Sequence, residues 1–486
     1  MNNEYPDPRP YRLLAALVAG HIVVNIVWLA MTSSVDIGLP HNHLYQALAH
    51  ALDIDGARPW GNPHSYLYAF SALGVRMLGP SYLSVTLVHS MFFALAIVAV
   101  FLLGRDLAGP WGGLTAAALF SLTPAAYGMS RLFGDLPLAT AITAWCMWAL
   151  WRAGRGGAWG WALCGALILA GVYGLLVPSN AALIGLALLG PFCVALPTAY
   201  RRSRRAGRVA IVVVLGLLAG GALLQVVGGG LFESYYFKES ARFAEASLWR
   251  HPRFAIAQLV LLGGYVLGPL LFVALAAATV IAFARQAEGR WFLLAGVVLP
   301  LLVLTIVPKR KDLNLFAILP AITVLTAIGL MQLRRARVIV VGLLTLALVS
   351  FFWHSFTPRQ PTRMIDRLGL AAALEAPPYP WVTAPHRDPQ ARRVAVMIRD
   401  NMIRRRPTGE IAVLSLECTS DDTLRFELAL MERRMRLLQL CEEENPAAAW
   451  RAANCLLIPS GAPPPAGAEK IAAAASYGLF TNPNAE

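Results

Sequence analysis

Residues 83–128 decide the fold class of this 486-residue chain, with the sequence LSVTLVHSMFFALAIVAVFLL (83–103), GRDLAGPW (104–111) and GGLTAAALFSLTPAAYG (112–128). Two apolar runs flank a short connection that carries Arg105. A run of about 20 apolar residues is the length that an α-helix needs to cross the hydrocarbon core of a bilayer. The pattern therefore predicts two membrane-spanning helices joined by a short basic turn.

The same pattern recurs along most of the chain, and the composition agrees with it. The sequence is 57% hydrophobic and 14% charged, with a mean hydropathy of +0.57, whereas soluble domains carry roughly 25% charged residues. We therefore predict an all-α polytopic membrane domain with about eleven transmembrane helices. The predicted ranges are 13–32, 83–103, 112–128, 137–151, 160–177, 181–199, 208–228, 254–284, 291–307, 313–332 and 337–356.

Arginines occupy every other connection between these predicted helices, and they also precede the first one. With eleven helices all of them fall on one face, which the positive-inside rule makes cytoplasmic. We therefore expect an integral inner-membrane protein with a cytoplasmic N-terminus. The net charge of +14 then serves topology and contact with anionic membrane lipids, and not nucleic acid. The arginines are Arg9, Arg12, Arg105, Arg152, Arg155, Arg201, Arg202, Arg204, Arg205, Arg208, Arg285, Arg290, Arg334, Arg335 and Arg337.

The chain after residue 356 changes character and predicts a small α/β domain outside the cytoplasm. We divide the chain into a transmembrane domain over 1–356, a linker over 357–400 and an extracytoplasmic domain over 401–486. A disulfide between Cys418 and Cys441 is left open, because both cysteines end predicted strands. The strands are expected at Ile411–Leu416, Arg436–Leu440 and Cys455–Ile458, and the helices at 421–435 and 446–453.

Two acidic positions near membrane level on the predicted outer face could be functional, because ionisable groups there cost a few kcal/mol each. Asp36 follows the first helix closely. It is either a solvated helix end or a general base whose pKa is raised by partial desolvation. Asp135 shares a short turn with Arg131, where a local ion pair or a helix cap is the structural alternative.

A third place on that face is the basic segment Lys309-Arg310-Lys311. The chain has only four lysines against 37 arginines, and two of the four are here. A basic run on the outer face interrupts the positive-inside pattern, so we interpret it as an anion site, most plausibly for a phosphate. The alternative is a run that only contacts lipid head groups.

In their order along the chain, these features resemble the GT-C superfamily of integral membrane glycosyltransferases, over about residues 10–356. The nearest branch is that of the protein O-mannosyltransferases and the lipid A aminoarabinose transferases. Where the family carries an acidic pair before an interfacial helix, this chain has His41-Asn42 before the amphipathic stretch His43–Leu52. The similar segments are Asn62–Tyr68, Leu102–Gly109, Gly112–Leu119, Ser121–Pro124, Ser130–Pro137, Lys309–Leu315 and Leu319–Ala321.

The resemblance implies a glycosyltransferase of the cell envelope that moves a sugar, with inversion, from a polyprenyl-phosphate donor to a lipid, glycan or protein acceptor. Asp36, or else Asp135, would be the catalytic carboxylate. The resemblance also implies a donor or acceptor pocket that includes His64, Tyr66 and Asp53. The residues expected to hold the donor phosphate are Lys309, Arg310, Lys311 and Arg131.

Two other classes of function stay open at this point, a transporter or flippase of lipid-linked sugars and a non-catalytic envelope assembly subunit. A transporter predicts two similar halves and charges at the bilayer midplane, whereas the charges here lie at the faces. A catalytically inactive subunit would account for the missing acidic pair. The sequence identifies no cofactor. A divalent metal is left open, although no recognisable metal-ligand spacing is present.

Overall fold

A computed structural model of the chain describes most of the residues before 357 and part of those after it. They form two compact units, 1–27 with 89–384 and 28–88 with 385–486, which we call the first and the second unit. The described residues are 7–32, 48, 52, 65–131, 134–170, 178–205, 208–209, 212, 259–306, 312–356, 389–405, 411–415, 424, 428, 431, 435–439, 453–459, 463–464, 467–474 and 477–482.

Apolar helices dominate the described residues before 357, as the sequence predicts. Among these residues, four helices are long and apolar enough to cross a membrane, and five shorter apolar helices accompany them. The total of about eleven spans stays a prediction. The helices are α1 Arg9–Met31, α2 Ser65–Leu78, α3 Tyr82–Leu122, α4 Pro124–Met129, α5 Leu136–Gly154, α6 Ala158–Ala170, α7 Pro178–Arg202, α8 Pro269–Ala284, α9 Arg290–Ile306, α10 Leu319–Met331 and α11 Ala336–Phe356.

Helix α3 is a hairpin of two helices, as residues 83–128 predict. Gly109 has φ 77° and precedes Pro110. A positive φ is a conformation that only glycine adopts without strain. Beyond this reversal the two halves pack backbone to backbone, since a Cβ added at Gly113 would lie 2.5 Å from the carbonyl oxygen of Phe101. The glycines of the basic connection therefore make both the turn and the close packing after it.

Large apolar side chains lie on the outer surface of the helices. Val273 and Val280 of α8 are 66% and 69% exposed, and Val338 of α11 is 72% exposed. Exposed apolar surface on this scale marks contact with lipid or with another protein. Together with the length of the apolar helices, it identifies the chain as an integral membrane protein.

Three predicted helices differ from the described structure. The run 112–128 is broken at Thr123, whose backbone is extended, and α4 begins after it at Pro124. The run 254–284 is interrupted at Gly268, which has φ 79°, and at Pro269, which lacks a backbone N–H. A π-helical turn at Leu261–Val266 lies before the interruption, and α8 begins after it. The run 313–332 begins as a 3₁₀ helix at Asp312–Ile318 before α10 starts. The predicted helix at 208–228 and the amphipathic stretch His43–Leu52 lie almost entirely outside the described residues.

The basic connections of the first unit meet at one end of its helices, which we call the basic end. Residues of these connections lie close to one another and to neighbouring helix ends, which places the connections at the same end. The side of the membrane that the basic end faces stays a prediction. The approaches are Arg152 to Asp106, Gly289 to Leu107, Gly156 to Ser203, Gly112 to Met331 and the ring of Tyr11 to that of Phe101.

The second unit contains a five-stranded mixed sheet in the order β2-β1-β3-β5-β4. Strand β1 pairs in parallel with β2 and β3, whereas β5 pairs antiparallel with β3 and β4. Helix α12, Pro389–Arg405, buries Val394 and Ile398 in one core with Val413 and Leu457 of the sheet. The strands are β1 Ile411–Ser415, β2 Met435–Gln439, β3 Cys455–Pro459, β4 Lys470–Ala474 and β5 Tyr477–Thr481.

The three strands predicted after residue 400 are present, and so is an α/β arrangement. Strands β4 and β5 were not predicted. The predicted linker over 357–400 ends earlier than expected, because residues from 389 onward form the helix that covers the sheet. Cys418 and Cys441 lie outside the described residues, so their disulfide stays an open prediction.

Candidate functional site: a buried arginine and its polar cluster

Polar side chains from α1, α3, α11 and the turn before α5 meet inside the first unit. We call this group the Arg131 cluster, and it comprises His21, Asn25, Ser90, Ser130, Arg131 and Ser355. All six side chains are buried. Polar groups in membrane helices are costly unless they bond one another, and they mark functional sites.

Asn25 is the centre of the cluster. Its Nδ2 lies 2.9 Å from the Oγ atoms of both Ser90 and Ser130 and 3.0 Å from Nε2 of His21. Its Oδ1 accepts a hydrogen bond of 3.0 Å from Nε of Arg131. One amide therefore joins two helices and the turn, and it orients the guanidinium.

Arg131 carries the positive charge of the cluster. Its Nη1 donates to Oγ of Ser355 at 3.0 Å, and its guanidinium lies 5.3 Å from the ring centroids of both Tyr127 and Phe351. Burial lowers the pKa of Arg131 to about 9, while Tyr127 opposes this shift. The side chain therefore keeps its charge at neutral pH.

The cluster lies well away from the basic end. Tyr11 and Phe101 mark the basic end, and Asn25 is fourteen residues beyond Tyr11 on the same helix. At 1.5 Å per residue, the separation along α1 is about 21 Å. Arg131 is therefore a cation that lies toward the end of the first unit opposite the basic end.

Asp135 follows in the same turn, half-buried and directly before α5. Its side chain makes no capping hydrogen bond, and its backbone carbonyl accepts the N–H of Ala139 at 2.9 Å. The alternative of a side-chain helix cap is therefore not realised. The role of Asp135 as a catalytic carboxylate stays a prediction.

The other predicted site residues lie outside what the structure describes, and their roles stay predictions. For Tyr66 the structure describes only the backbone, which is helical in α2. No three metal-ligating side chains lie close enough to hold an ion within the described ranges. The site residues outside these ranges are Asp36, Asp53, His64, Lys309, Arg310 and Lys311.

Sequence reasoning missed Asn25, His21, Ser90 and Ser355. The available signal was the presence of an amide and an imidazole within the apolar run of the first helix, since such residues bond across membrane helices. Ser355 carries no comparable signal, because a serine near a helix end is unremarkable in sequence.

A second charged group, at the basic end, surrounds Asp106. Its carboxylate accepts hydrogen bonds from Arg105 at 3.1 Å, Arg152 at 2.9 Å and the indole N–H of Trp148 at 3.0 Å. The side chain of Asp106 is 7% exposed. One buried carboxylate joins two arginines and an indole from two helices, so we interpret this group as a structural joint between the α3 hairpin and α5.

Comparison with known proteins gives both a sequence match and fold matches. The sequence pattern of the family described as dolichyl-phosphate-mannose-protein mannosyltransferase matches residues 64–221. No curated protein matches the sequence. The chain is similar to ArnT from Cupriavidus metallidurans bound to undecaprenyl phosphate, at 12% identity and a TM-score of 0.62, over 98% of this chain and 99% of that one.

Two further structures are similar to the chain. Apo ArnT from Cupriavidus metallidurans shares 14% identity at a TM-score of 0.62, with 98% of each chain covered. The arabinofuranosyltransferase AftD from Mycobacteria shares 14% identity at a TM-score of 0.50, over 97% of this chain and 40% of that one. Identities this low establish the fold alone.

Proposed function

We propose, from the premise that this chain has the fold of the GT-C superfamily of membrane glycosyltransferases, that it transfers a sugar from a polyprenyl-phosphate donor to an acceptor outside the cytoplasm. The predicted superfamily resemblance is confirmed by the family match and the fold matches. ArnT in complex with undecaprenyl phosphate supports a lipid-borne phosphate as the donor's leaving group.

The observation that carries the proposal is the environment of Arg131. Arg131 is a buried cation whose guanidinium donates hydrogen bonds to Asn25 and Ser355, and these bonds orient it. Positive charge aimed at a departing phosphate stabilises the transition state, because negative charge grows on the leaving oxygen. In the proposed site, Lys309, Arg310 and Lys311 hold the same phosphate.

In the reaction that we propose, the acceptor oxygen attacks the anomeric carbon as the bond to the phosphate oxygen breaks, with inversion. The acceptor proton passes to Asp36, or else to Asp135. His64, Tyr66 and Asp53 line the pocket for donor or acceptor. If the acceptor attacks through an ionised phosphate, no base is required, and both carboxylates act only in positioning.

Transfer can be tested with the purified chain in lipid nanodiscs. The donor is a polyprenyl-phosphate-linked sugar. The sugar is chosen by mass spectrometry, as the one missing from envelope glycolipids or glycoproteins of a deletion strain. We expect release of polyprenyl phosphate together with a glycosylated acceptor, and loss of both in a variant that combines Asp36→Asn with Asp135→Asn. Normal glycosylation in that double variant would refute the catalytic roles of these carboxylates.

The same assay separates the enzyme from the two other classes. A flippase would move the lipid-linked sugar between leaflets without releasing polyprenyl phosphate. An assembly subunit would release no polyprenyl phosphate. In the deletion strain, a supplied partner enzyme would then still form the modified product. Either result would overturn the proposal.

The compartment of the predicted phosphate site can be tested by cysteine labelling. In a chain whose six natural cysteines are replaced, we expect Arg310→Cys and Gly134→Cys to react with an impermeant thiol reagent from outside the cell. Arg335→Cys, at the basic end, should react only after permeabilisation. Labelling of position 310 from the cytoplasm alone would separate it from Arg131 and end the shared-site proposal.

A further inference from the structure

At the basic end, the ends of α5 and α7 and the start of α9 enclose a cavity of about 240 Å³. We call it the Arg202 pocket. Charged and polar side chains line it, and none of them belongs to the Arg131 cluster or to the Asp106 group. The lining residues that matter here are Trp151, Arg155, Thr198, Arg202, Glu288 and Arg290.

Close helix packing builds the walls of the pocket. A Cβ added at Gly190 of α7 would lie 2.6 Å from the carbonyl oxygen of Ala295 in α9, and one at Gly154 would lie 3.3 Å from Cα of Ala195. Gly289, in the turn before α9, has φ 76°. The positions of the three chain segments are thus fixed by backbone contact, so the pocket is largely pre-formed.

The charges of the pocket favour an anion. Three arginines face one carboxylate, and Nη2 of Arg155 lies 2.6 Å from Oε1 of Glu288. These two side chains are 36% and 55% exposed, so their ion pair is weak and easily displaced. Arg202 and Arg290 then carry positive charge that Glu288 does not balance. Arginine is well suited to phosphate, since its planar fork donates two parallel hydrogen bonds.

An aromatic ring positions one of the three arginines. Within the described part of the chain, the buried indole N–H of Trp151 has no hydrogen-bond acceptor. The guanidinium of Arg155 covers the ring of this tryptophan at 5.0 Å. This cation–π contact keeps Arg155 at the wall of the pocket.

The surroundings identify the ligand as a lipid. Trp291 on the pocket rim is 59% exposed, and tryptophan belongs at the membrane interface. Exposed apolar side chains, Val194 of α7 and Val298 and Leu302 of α9, continue from the pocket along the helices. The cavity is smaller than the roughly 300 Å³ of the smallest drug-sized sites. That volume accommodates a phosphate with its glycerol, while the acyl chains would lie outside it.

We infer that the Arg202 pocket binds the head group of an anionic glycerophospholipid in the leaflet at the basic end. The phosphate is held by Arg202 and Arg290, with Arg155 exchanging between Glu288 and the lipid. The inference does not depend on the proposed glycosyl transfer. Basic pockets between membrane helices are a known mode of anionic lipid recognition.

The test measures the melting temperature of the purified full chain in neutral detergent with added dioleoyl phosphatidylglycerol. Native mass spectrometry of the same samples counts retained lipids. We expect the anionic lipid to raise the melting temperature by several degrees, since it binds only the folded chain. Dioleoyl phosphatidylcholine and inorganic phosphate should have little effect.

Matched variants distinguish lipid binding in the pocket from general attraction of anionic lipid to the positive charge of the basic end. The double variant Arg202→Gln and Arg290→Gln should bind phosphatidylglycerol at least tenfold more weakly. The control, Arg334→Gln with Arg335→Gln, loses the same charge at the same end and should bind as the natural chain does. Equal weakening in both variants would reduce the effect to bulk electrostatics and overturn the inference.

One further variant guards against a folding artefact. Glu288→Gln removes the carboxylate that competes for Arg155, so it should tighten phosphatidylglycerol binding by about threefold, a gain that misfolding cannot produce. Unchanged or weaker binding in Glu288→Gln would contradict the inference. So would equal stabilisation by inorganic phosphate, which would make the pocket a site for a free anion.

Discussion

The arginines at the two ends of the first unit differ in what surrounds them. At the basic end, Arg105 and Arg152 share the carboxylate of Asp106, and Arg155 pairs with Glu288. Toward the other end, Arg131 is buried and its described hydrogen bonds go to neutral oxygens. The arginines of the first kind lie against carboxylates and link neighbouring helices. The second places a positive charge in the interior of the protein, where ionisable groups are costly and mark functional sites.

Removing Arg131 should give the largest effect. We expect Arg131→Ala to lower turnover of the polyprenyl-phosphate sugar by about 100-fold, which is the typical loss when one fixed charge or donor is removed from a transition state. Arg131→Lys should lower turnover less, by about tenfold, since lysine keeps the positive charge but lacks the planar guanidinium that donates two parallel hydrogen bonds. Rates are measured in nanodiscs per folded molecule.

Arg335→Gln is the matched control for Arg131, because Arg335 is an exposed arginine at the basic end. Its turnover should stay within a factor of two of the natural chain. A similar loss in both variants would mean that the difference between the two ends has no functional meaning.

Asn25 ranks next, because it orients Arg131 without carrying charge. We expect Asn25→Ala to lower turnover by about tenfold and to reduce stability by roughly 1–3 kcal/mol, the cost of leaving a buried donor without its acceptor. The measurements are the transfer rate and the melting temperature. Thr326→Val is the control, since the Thr326 hydroxyl bonds only to the carbonyl of Ile322 among the contacts described. A turnover of Asn25→Ala equal to that of this control would exclude a positioning role.

Asp106 should matter for stability and not for turnover. Asp106→Asn keeps the shape but removes the charge that Arg105 and Arg152 share, so we expect a loss of roughly 1–3 kcal/mol in stability. Turnover per folded molecule should be unchanged. Thermal unfolding read together with the transfer rate checks this, and a reduced rate in fully folded protein would show that the basic end also acts in catalysis.

We expect the smallest effect for substitution of an exposed arginine in a connection, measured as the change in the free energy of unfolding. Arg335→Gln should change the free energy of unfolding by less than about 0.5 kcal/mol, as surface substitutions usually do. A melting curve of the variant beside the natural chain measures it. A larger loss would mean that the basic end contains a further charge network.

Much of the membrane architecture followed from sequence because it is local. The α3 hairpin was predictable from two apolar runs and the glycines between them. Strands β1 to β3 were predictable from their aliphatic runs. Strands β4 and β5 were missed because KIAAA (470–474) and YGLFT (477–481) have few β-branched residues. Their pairing with β3 supplies the structure that local propensity does not.

The Arg131 cluster was only half predictable for the same reason. Arg131 and Asp135 were conspicuous as charges in a short turn between apolar helices. Their surroundings were not, since Asn25 and Ser355 are separated from Arg131 by 106 and 224 residues. A single sequence carries no signal for contacts at such separations, so only the fold shows the cluster.

The hairpin of α3 also limits how the molecule can move. Gly104 and Gly113 bring its two halves so near that there is no room for a methyl group, since a Cβ on Gly104 would lie 3.0 Å from Cα of Gly113. Backbone packing this close leaves little freedom for one half to slide along the other. The helix interruption at Gly268, where α8 begins without a continuous hydrogen-bond ladder from the preceding turn, is where we expect the described helices of the first unit to bend instead.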